Sequence, residues 1–276
     1  MTLSVAIVCK NNAPTIGRTL ESVRGLATEI VAVDSGSTDG TIGLLERHGA
    51  SVIRSAWLGH VATKQKALDA CTGDWILALD SDESLEPDLR QSVAGAVDRE
   101  GGPDAYELNR VVYYRGRPLR HAWQPEHRVR LVRRGRARWT GLDPHDKLEP
   151  AAGVSVQRLR GTLRHDSITT FAEFLAKQAQ HAATMARSLH REGRRGSVVR
   201  LCFSPPGAFL KQLVLKRAFL DGWPGWLAAA STAAGALMKH AILLELSRGG
   251  ASDTGVARSG YDSPKSPSEG DDNASA

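Results

Sequence analysis

The sequence predicts an α/β fold, a mostly parallel sheet with helices on both faces, followed by a helical extension. Three observations predict it. Short β-rich apolar runs alternate with helical spacings through about the first hundred residues. Two of those runs end in aspartate, at Asp34 and Asp80. From Ser167 onward the pattern is helical.

The elements follow in order. Leu3–Cys9 is an apolar run with β-branched residues, and Thr15–Val23 has helical spacing. The start of the chain has no basic segment ahead of its short apolar run, so it reads as a strand and not as a signal peptide. Glu29–Val33 is a second strand, closed by Asp34 and the turn Ser35-Gly36-Ser37-Thr38-Asp39-Gly40. Thr38 or Asp39 caps the helix that runs through Glu46. Ser51–Ile53 is a third strand, His60–Cys71 a helix, and Asp74–Leu79 a fourth strand ending in Asp80-Ser81-Asp82-Glu83. Strands alternating with helices imply a parallel sheet covered on both faces, whose ligands bind beyond the carboxyl ends of the strands. Ala105–Tyr114 and Val129–Arg133 are further strands. Ser167 to about Arg191 is an amphipathic helix, and Ala208–Leu220 and Trp226–Leu246 are two more. These boundaries give an α/β unit at 1–166, a helical extension at 167–247 and a disordered tail at 248–276.

Composition limits the function classes. The chain has 276 residues, 41% of them hydrophobic, and a formal net charge of +6. Its last segment is acidic, so the body is more basic than the total. A basic body suits phosphate-bearing ligands, nucleic acid or an anionic membrane face. The three cysteines, Cys9, Cys71 and Cys202, are far apart and form no CxxC. That excludes a disulfide framework and fits a reducing, cytoplasmic compartment. No stretch reaches about 18 uncharged apolar residues, the length of a membrane-spanning helix.

Asp80-x-Asp82 carries the chemistry. In an extended segment residues i and i+2 point the same way, so two carboxylates can meet one hard cation. Mg²⁺ or Mn²⁺ is commonly held by one or two carboxylates together with substrate phosphates. A DxD triplet alone is usually a solvated turn, but this one closes a buried-looking strand where α/β sheets place ligands. Asp34 stands at a second strand end, where a carboxylate accepts bonds from a ribose hydroxyl or a base N–H; alone it reads as a turn residue. No GxGxxG or GxxxxGK[ST] follows the first strand, where the chain has Lys10-Asn11-Asn12-Ala13-Pro14. A bridging cation would then neutralise the phosphates, and Lys64 offers a second positive charge.

Taken jointly, these motifs resemble the inverting GT-A glycosyltransferases of family two. The matching residues are Val5-Ala6-Ile7-Val8, Val31-Ala32-Val33-Asp34-Ser35-Gly36-Ser37-Thr38-Asp39-Gly40-Thr41, Lys64-Gln65 and Gly73-Asp74-Trp75-Ile76-Leu77 through Asp80-Ser81-Asp82-Glu83. A looser resemblance, to the bacterial lipopolysaccharide core β-glucosyltransferase branch, rests on Trp123-x-Pro125-Glu126, Arg130 to Arg134, Gly141 to His145-Asp146, His165 and Phe219-Leu220-Asp221-Gly222. The resemblance implies a GT-A, Rossmann-like fold that moves a hexose from a UDP donor onto a saccharide or lipid-linked acceptor in cell-envelope synthesis. It implies that Asp34 holds the uridine, and that Asp80 and Asp82 hold the ribose and the metal-bound diphosphate. His145 is a further metal candidate. The general base must take a proton from the acceptor hydroxyl on the opposite face. Glu126 is put first, as the lone acid among the ten arginines between Arg110 and Arg138, and Asp146 is its competitor. An ion pair with a nearby arginine is the plain alternative for Glu126.

That arginine run binds acceptor phosphates, faces an anionic membrane or is simply solvated. Lys211, Lys216 and Arg217 among apolar residues, followed by Trp223 and Trp226, fit either a peripheral contact with the inner membrane face or ordinary packing. Other classes remain: a related enzyme using another nucleotide-sugar or a lipid-phosphate donor, and a basic nucleic-acid-binding protein. The latter leaves the strand-end acids unexplained and lacks a recognisable motif, so no nucleic-acid partner is expected.

Overall fold

The computed structural model describes residues 1–142, 145–168 and 170–249. Most of the tail expected at 248–276 therefore lies outside the described residues.

The first half is built as the alternation predicts. β1 (Leu3–Cys9), α1 (Ala13–Val23), β2 (Glu29–Asp34), α2 (Thr41–Arg47), β3 (Ser51–Arg54), α3 (His60–Asp69) and β4 (Trp75–Asp80) follow one another. β3, β2, β1 and β4 lie side by side and parallel. Successive side chains of a strand point to opposite faces, and both faces are dry. Val5 and Ile7 of β1 pack with Ile16 and Leu20 of α1 on one side. Ala6 packs with Ala67 and Leu68 of α3 on the other. The helix at 41 is capped at Gly40, with the neighbouring Asp39 carboxylate accepting from the Thr41 N–H at 3.0 Å and from the Ala13 N–H at 3.0 Å.

After β4 the sheet becomes mixed. β5 (Glu83–Leu85), α4 (Pro87–Asp98), β6 (Ala105–Tyr114), β7 (Arg117–Pro118), β8 (His127–Arg133), β9 (Ala137–Leu142), β10 (His145–Pro150) and β11 (Val156–Ile168) complete the catalytic half. The main path is β3-β2-β1-β4-β8-β6-β11-β5, with β8 antiparallel to both β4 and β6, and β6 parallel to β11. β9 and β10 form a separate hairpin that lays Trp139 and Leu148 onto the α3 face. β11 occupies residues through Ile168, so the long helix begins at Phe171 and not at Ser167. Gly161 makes that strand possible. It sits at φ +109°, and a Cβ there would lie 2.4 Å from the Leu89 backbone nitrogen at the start of α4.

The C-terminal part differs in detail from its sequence pattern. α5 (Phe171–Arg191) is followed by α6 (Val198–Leu210), which passes through Pro205 and Pro206. A π turn (Lys211–Leu215) and a 3-10 turn (Ala218–Asp221) then replace the continuous helix expected to Leu220. α7 runs from Trp223 to Arg248, its first turn opened by Pro224 where no N–H is needed. Ala218 and Ala228 join Val112, Tyr114, Leu119 and Ile168 in one cluster, which fastens these helices to β6 and β11.

Candidate active site

Strand register brings the two aspartates together. Asp34 pairs with Cys9 and Asp80 pairs with Val8, so the two acids flank the end of β1 from either side. They are not equivalent. Asp34 is almost wholly buried and accepts from the Gly36 and Ser37 N–H groups at 3.0 and 2.9 Å, and from the Ser37 hydroxyl. Burial alone would raise its pKa, but the bonds from Ser37 and Gly36 outweigh burial and lower it. The Cys9 thiol beside it is pushed up to about 12 by burial and by the Asp34 charge, so it stays protonated and donates to the carboxylate at 3.6 Å. Asp34 is thus a turn residue and also the floor of an open cavity of about 370 Å³ lined by Ser37, Arg54 and Ser55.

The DxD turn is held from several directions. The Thr19 hydroxyl of α1 donates to the Ser81 carbonyl at 3.1 Å, and the Asp166 N–H to the Asp82 carbonyl at 2.9 Å. Glu83, with no exposed surface, accepts the Asp80 N–H at 3.1 Å through one oxygen. Through the other it meets Arg130 at 2.7 Å and Arg110 at 3.3 Å. Arg130 also reaches Asp80 at 2.9 Å. Lys64 lies 2.7 Å from the other Asp80 oxygen and 2.8 Å from Asp146, with the Trp139 ring 4.7 Å beneath its ammonium. It is not the solvated helix lysine that its position suggests. Burial favours the neutral Asp80, but the charges of Arg130 and Lys64 prevail and hold its carboxyl far below the usual range.

Asp82 is part-buried like Asp80, and its neighbour is His165, which the resemblance named without a role. The His165 Nε2, from β11, stands 3.4 Å from the Asp82 carboxylate. Burial is opposed by the His165 hydrogen bond and charge, and the Asp82 pKa is lowered. His165 Nδ1 is buried without a partner. Among the described residues no three acidic, His or Cys side chains form a ready-made cage. A carboxylate beside an imidazole with an unpartnered ring nitrogen is nonetheless a fitting donor set for Mn²⁺ or Mg²⁺. Asp80 has both oxygens committed to cations, so Asp82 with His165 is the better pair. The side chain of His145, at the start of β10, lies outside the described residues.

The base candidates separate. Asp146, Lys64, Asp80, Arg110 and Arg130 line one cavity of about 470 Å³. Glu126 is bound by Arg110 and, at 2.8 Å, by Arg128. Burial would raise its pKa, but these two arginines win and lower it. The ion pair that was the plain alternative for Glu126 is therefore present. The arginine run itself is not one surface. Arg110 and Arg130 are buried among acids, and Arg133 pairs with Asp104 at 2.9 Å while covering Trp75.

The C-terminal unit shapes the loop leading to Glu126. The Asp221 carboxylate accepts the N–H groups of Arg120, His121 and Ala122 at 2.8–3.0 Å and pairs with the His121 ring at 2.9 Å. The Lys216 ammonium donates to the Gln124 carbonyl at 2.8 Å, and the Trp123 indole to Thr232 at 3.1 Å. Asp221 is the only acid between Gly193 and Trp226, which is the sequence signal that marks it.

The segment that carries the acids at the ends of β2 and β4 lies within a single family match. Residues 4–159 match the model described as glycosyl transferase family 2. The chain belongs to this family. It is thus a glycosyltransferase with a GT-A fold, and the resemblance read from its motifs holds. The glycosyltransferase is 28% identical over 258 residues to the lipopolysaccharide core biosynthesis glycosyltransferase LpsC of Rhizobium meliloti, covering 87% of this chain and 93% of that one. It is 28% identical over 255 residues to an uncharacterized glycosyltransferase of Rickettsia typhi, RT0209, covering 89% and 87%. Among solved structures it is similar to glucosyl-3-phosphoglycerate synthase of Mycobacterium tuberculosis, at 20% identity and a TM-score of 0.44, covering 71% and 81%.

Proposed function

We propose that this glycosyltransferase moves a hexose, glucose from UDP-glucose, onto a saccharide or glycolipid acceptor of the lipopolysaccharide core or another envelope glycan, with inversion at C1. The observation that carries this is the meeting of Asp82 and His165 beside the cavity that holds Asp80, Lys64 and Asp146. The similarity to LpsC supports the class of acceptor. Residues 1–166 form the catalytic unit and 167–247 the helical extension in this proposal. The three free cysteines fit a cytoplasmic setting.

The roles follow from position. The cavity over Asp34 takes the nucleoside, with the Asp34 turn presenting Ser37 and the carboxylate to it. Asp82 and His165 would hold a divalent cation, which when bound stabilises charge on the leaving diphosphate. Asp80 sets Lys64 and Arg130 in place. Asp146 takes the acceptor hydroxyl proton as that oxygen bonds to C1 and the C1–O bond to the diphosphate breaks. A single displacement of an α-linked donor then gives a β product.

Calorimetry with UDP, GDP and dTDP, with and without Mn²⁺, tests the donor half. UDP is expected to bind with Mn²⁺ and to weaken by about 10- to 100-fold without it or in Asp82→Asn. Failure of all three nucleotides to bind in the presence of Mn²⁺ would sink the donor assignment.

A further inference from the structure

The least explained part of the molecule is the stretch from α6 to the start of α7. α6 is strongly apolar, with Val198, Val199, Leu201, Phe203, Phe209 and Leu210 on its surface, yet it has no buried residue. It packs along α7 and presents the rest of its circumference to solvent. A helix that is apolar nearly all round belongs inside a protein core or a membrane. The turns that follow continue the same face. Phe203 is 72% exposed and Leu215 76% exposed, and Leu210, Phe219, Trp223 and Trp226 are each about half exposed. Isolated exposed apolar residues need no explanation, but a contiguous set of this size marks an interaction surface.

The charge around that surface selects its partner. Between Gly193 and Trp226 the basic residues are Arg194, Arg195, Arg200, Lys211, Lys216 and Arg217. The single acid, Asp221, is 3% exposed and turned inward onto the loop at Arg120–Ala122. What this segment turns outward is therefore apolar side chains with Arg194, Arg195, Arg200, Lys211 and Arg217 in excess over the acids at its margins, Glu192 and Glu245 of α7. Tryptophans at the edge of such a patch sit well at the boundary of lipid headgroups and acyl chains.

We propose that this face, from α6 through the π and 3-10 turns to the first turn of α7, docks on the surface of an anionic lipid bilayer. Apolar side chains enter the headgroup boundary and the cations bind lipid phosphates. The helices lie on the membrane and do not cross it. α7 is long and apolar enough to span one, but its Pro224, Gly225 and Ala228 are buried against the catalytic half and Thr232 holds Trp123. Withdrawing it would break those contacts. The same segment carries Asp221 and Lys216, so the docked face and the loop leading to Glu126 are one mechanical unit. The proposal does not depend on which sugar is transferred.

Flotation of the full chain with vesicles is the test. Vesicles of phosphatidylglycerol and phosphatidylethanolamine are expected to carry at least about tenfold more protein than vesicles of phosphatidylcholine alone, and to release it in high salt. Phe203→Ser/Leu215→Ser and Lys211→Glu/Arg217→Glu should each reduce flotation about tenfold or more while UDP binding with Mn²⁺ stays at the wild-type level. That second readout separates a failed membrane surface from a misfolded variant or a failed donor site. Equal flotation with both kinds of vesicle, no flotation with either, or undiminished flotation of both variants would overturn the proposal. So would a dimer in solution that these substitutions abolish, since the face would then belong to a second copy.

Discussion

Replacing Asp146 with Asn is expected to lower kcat by about 10²- to 10⁴-fold while the affinity for UDP with Mn²⁺ changes by less than about threefold. The amide keeps the size of the side chain and an acceptor oxygen, but it cannot take a proton at neutral pH. The argument for this carboxylate is its place. It lines the same cavity as Asp80 and Lys64, so an acceptor hydroxyl entering that cavity can meet it. Among the described residues its one ion-pair partner is Lys64, an ammonium shared with Asp80, against two guanidinium groups on Glu126. Glu126 would have to shed two guanidinium groups, and those groups lower its pKa, which makes it a weaker base. Glu126→Gln is accordingly expected to lose no more than about tenfold in kcat, through looser placement of Arg110. Steady-state kinetics on the two variants, with calorimetry as the control for donor binding, decide between them. A near-normal kcat for Asp146→Asn beside a collapsed one for Glu126→Gln would reverse the assignment.

The parts of this protein that could be read from its sequence are those in which neighbours along the chain decide the structure. The apolar runs at Leu3–Cys9 and Trp75–Leu79 are buried on both faces and so read as continuous. The ends of Glu29–Val33 and Trp75–Leu79 marked Asp34, Asp80 and Asp82. β11 was not legible because its neighbours in the sheet, β6 and β5, lie far earlier in the chain and its own sequence is largely charged. Arg158, Arg160, Arg164 and Asp166 are spread along it, and most of its side chains are exposed or partly exposed. The arginine run misled for a related reason. The acids that neutralise it, Glu83, Asp80 and Asp104, come from elements laid beside it by the sheet. A linear count of ten arginines and one acid cannot contain that pairing. His165 is a lone histidine by sequence, and only the antiparallel register of β11 on β5, which sets it opposite Glu83, brings it to Asp82.

Arg130→Met is expected to destabilise the fold by about 3–5 kcal/mol in urea denaturation, although methionine packs well and the strand is unchanged. Arg130 is 4% exposed and Glu83 not exposed at all. Removing the guanidinium leaves the buried Glu83 carboxylate with Arg110, at 3.3 Å, and leaves Asp80 with Lys64 and the more distant Arg110, at 3.9 Å. Both carboxylates then carry charge in a place that no longer solvates it. Glu83→Gln should be similarly costly, because it strips Arg130 of its shortest contact. The double variant, Glu83→Gln/Arg130→Met, is expected to lose less than the sum of the two, since neither charge is then left behind. Additive losses would show that the two side chains are not energetically coupled. The consequence reaches the site, because Glu83 also accepts the Asp80 N–H and so fixes the turn that presents Asp82. Arg130→Met should therefore lose stability and metal-dependent UDP binding together. Asp82→Asn, on a part-buried carboxylate whose charged neighbour is His165, should lose the binding at a smaller cost in stability, about 1–2 kcal/mol. That contrast separates the ion-pair framework, which holds the turn, from the carboxylate the turn exists to present.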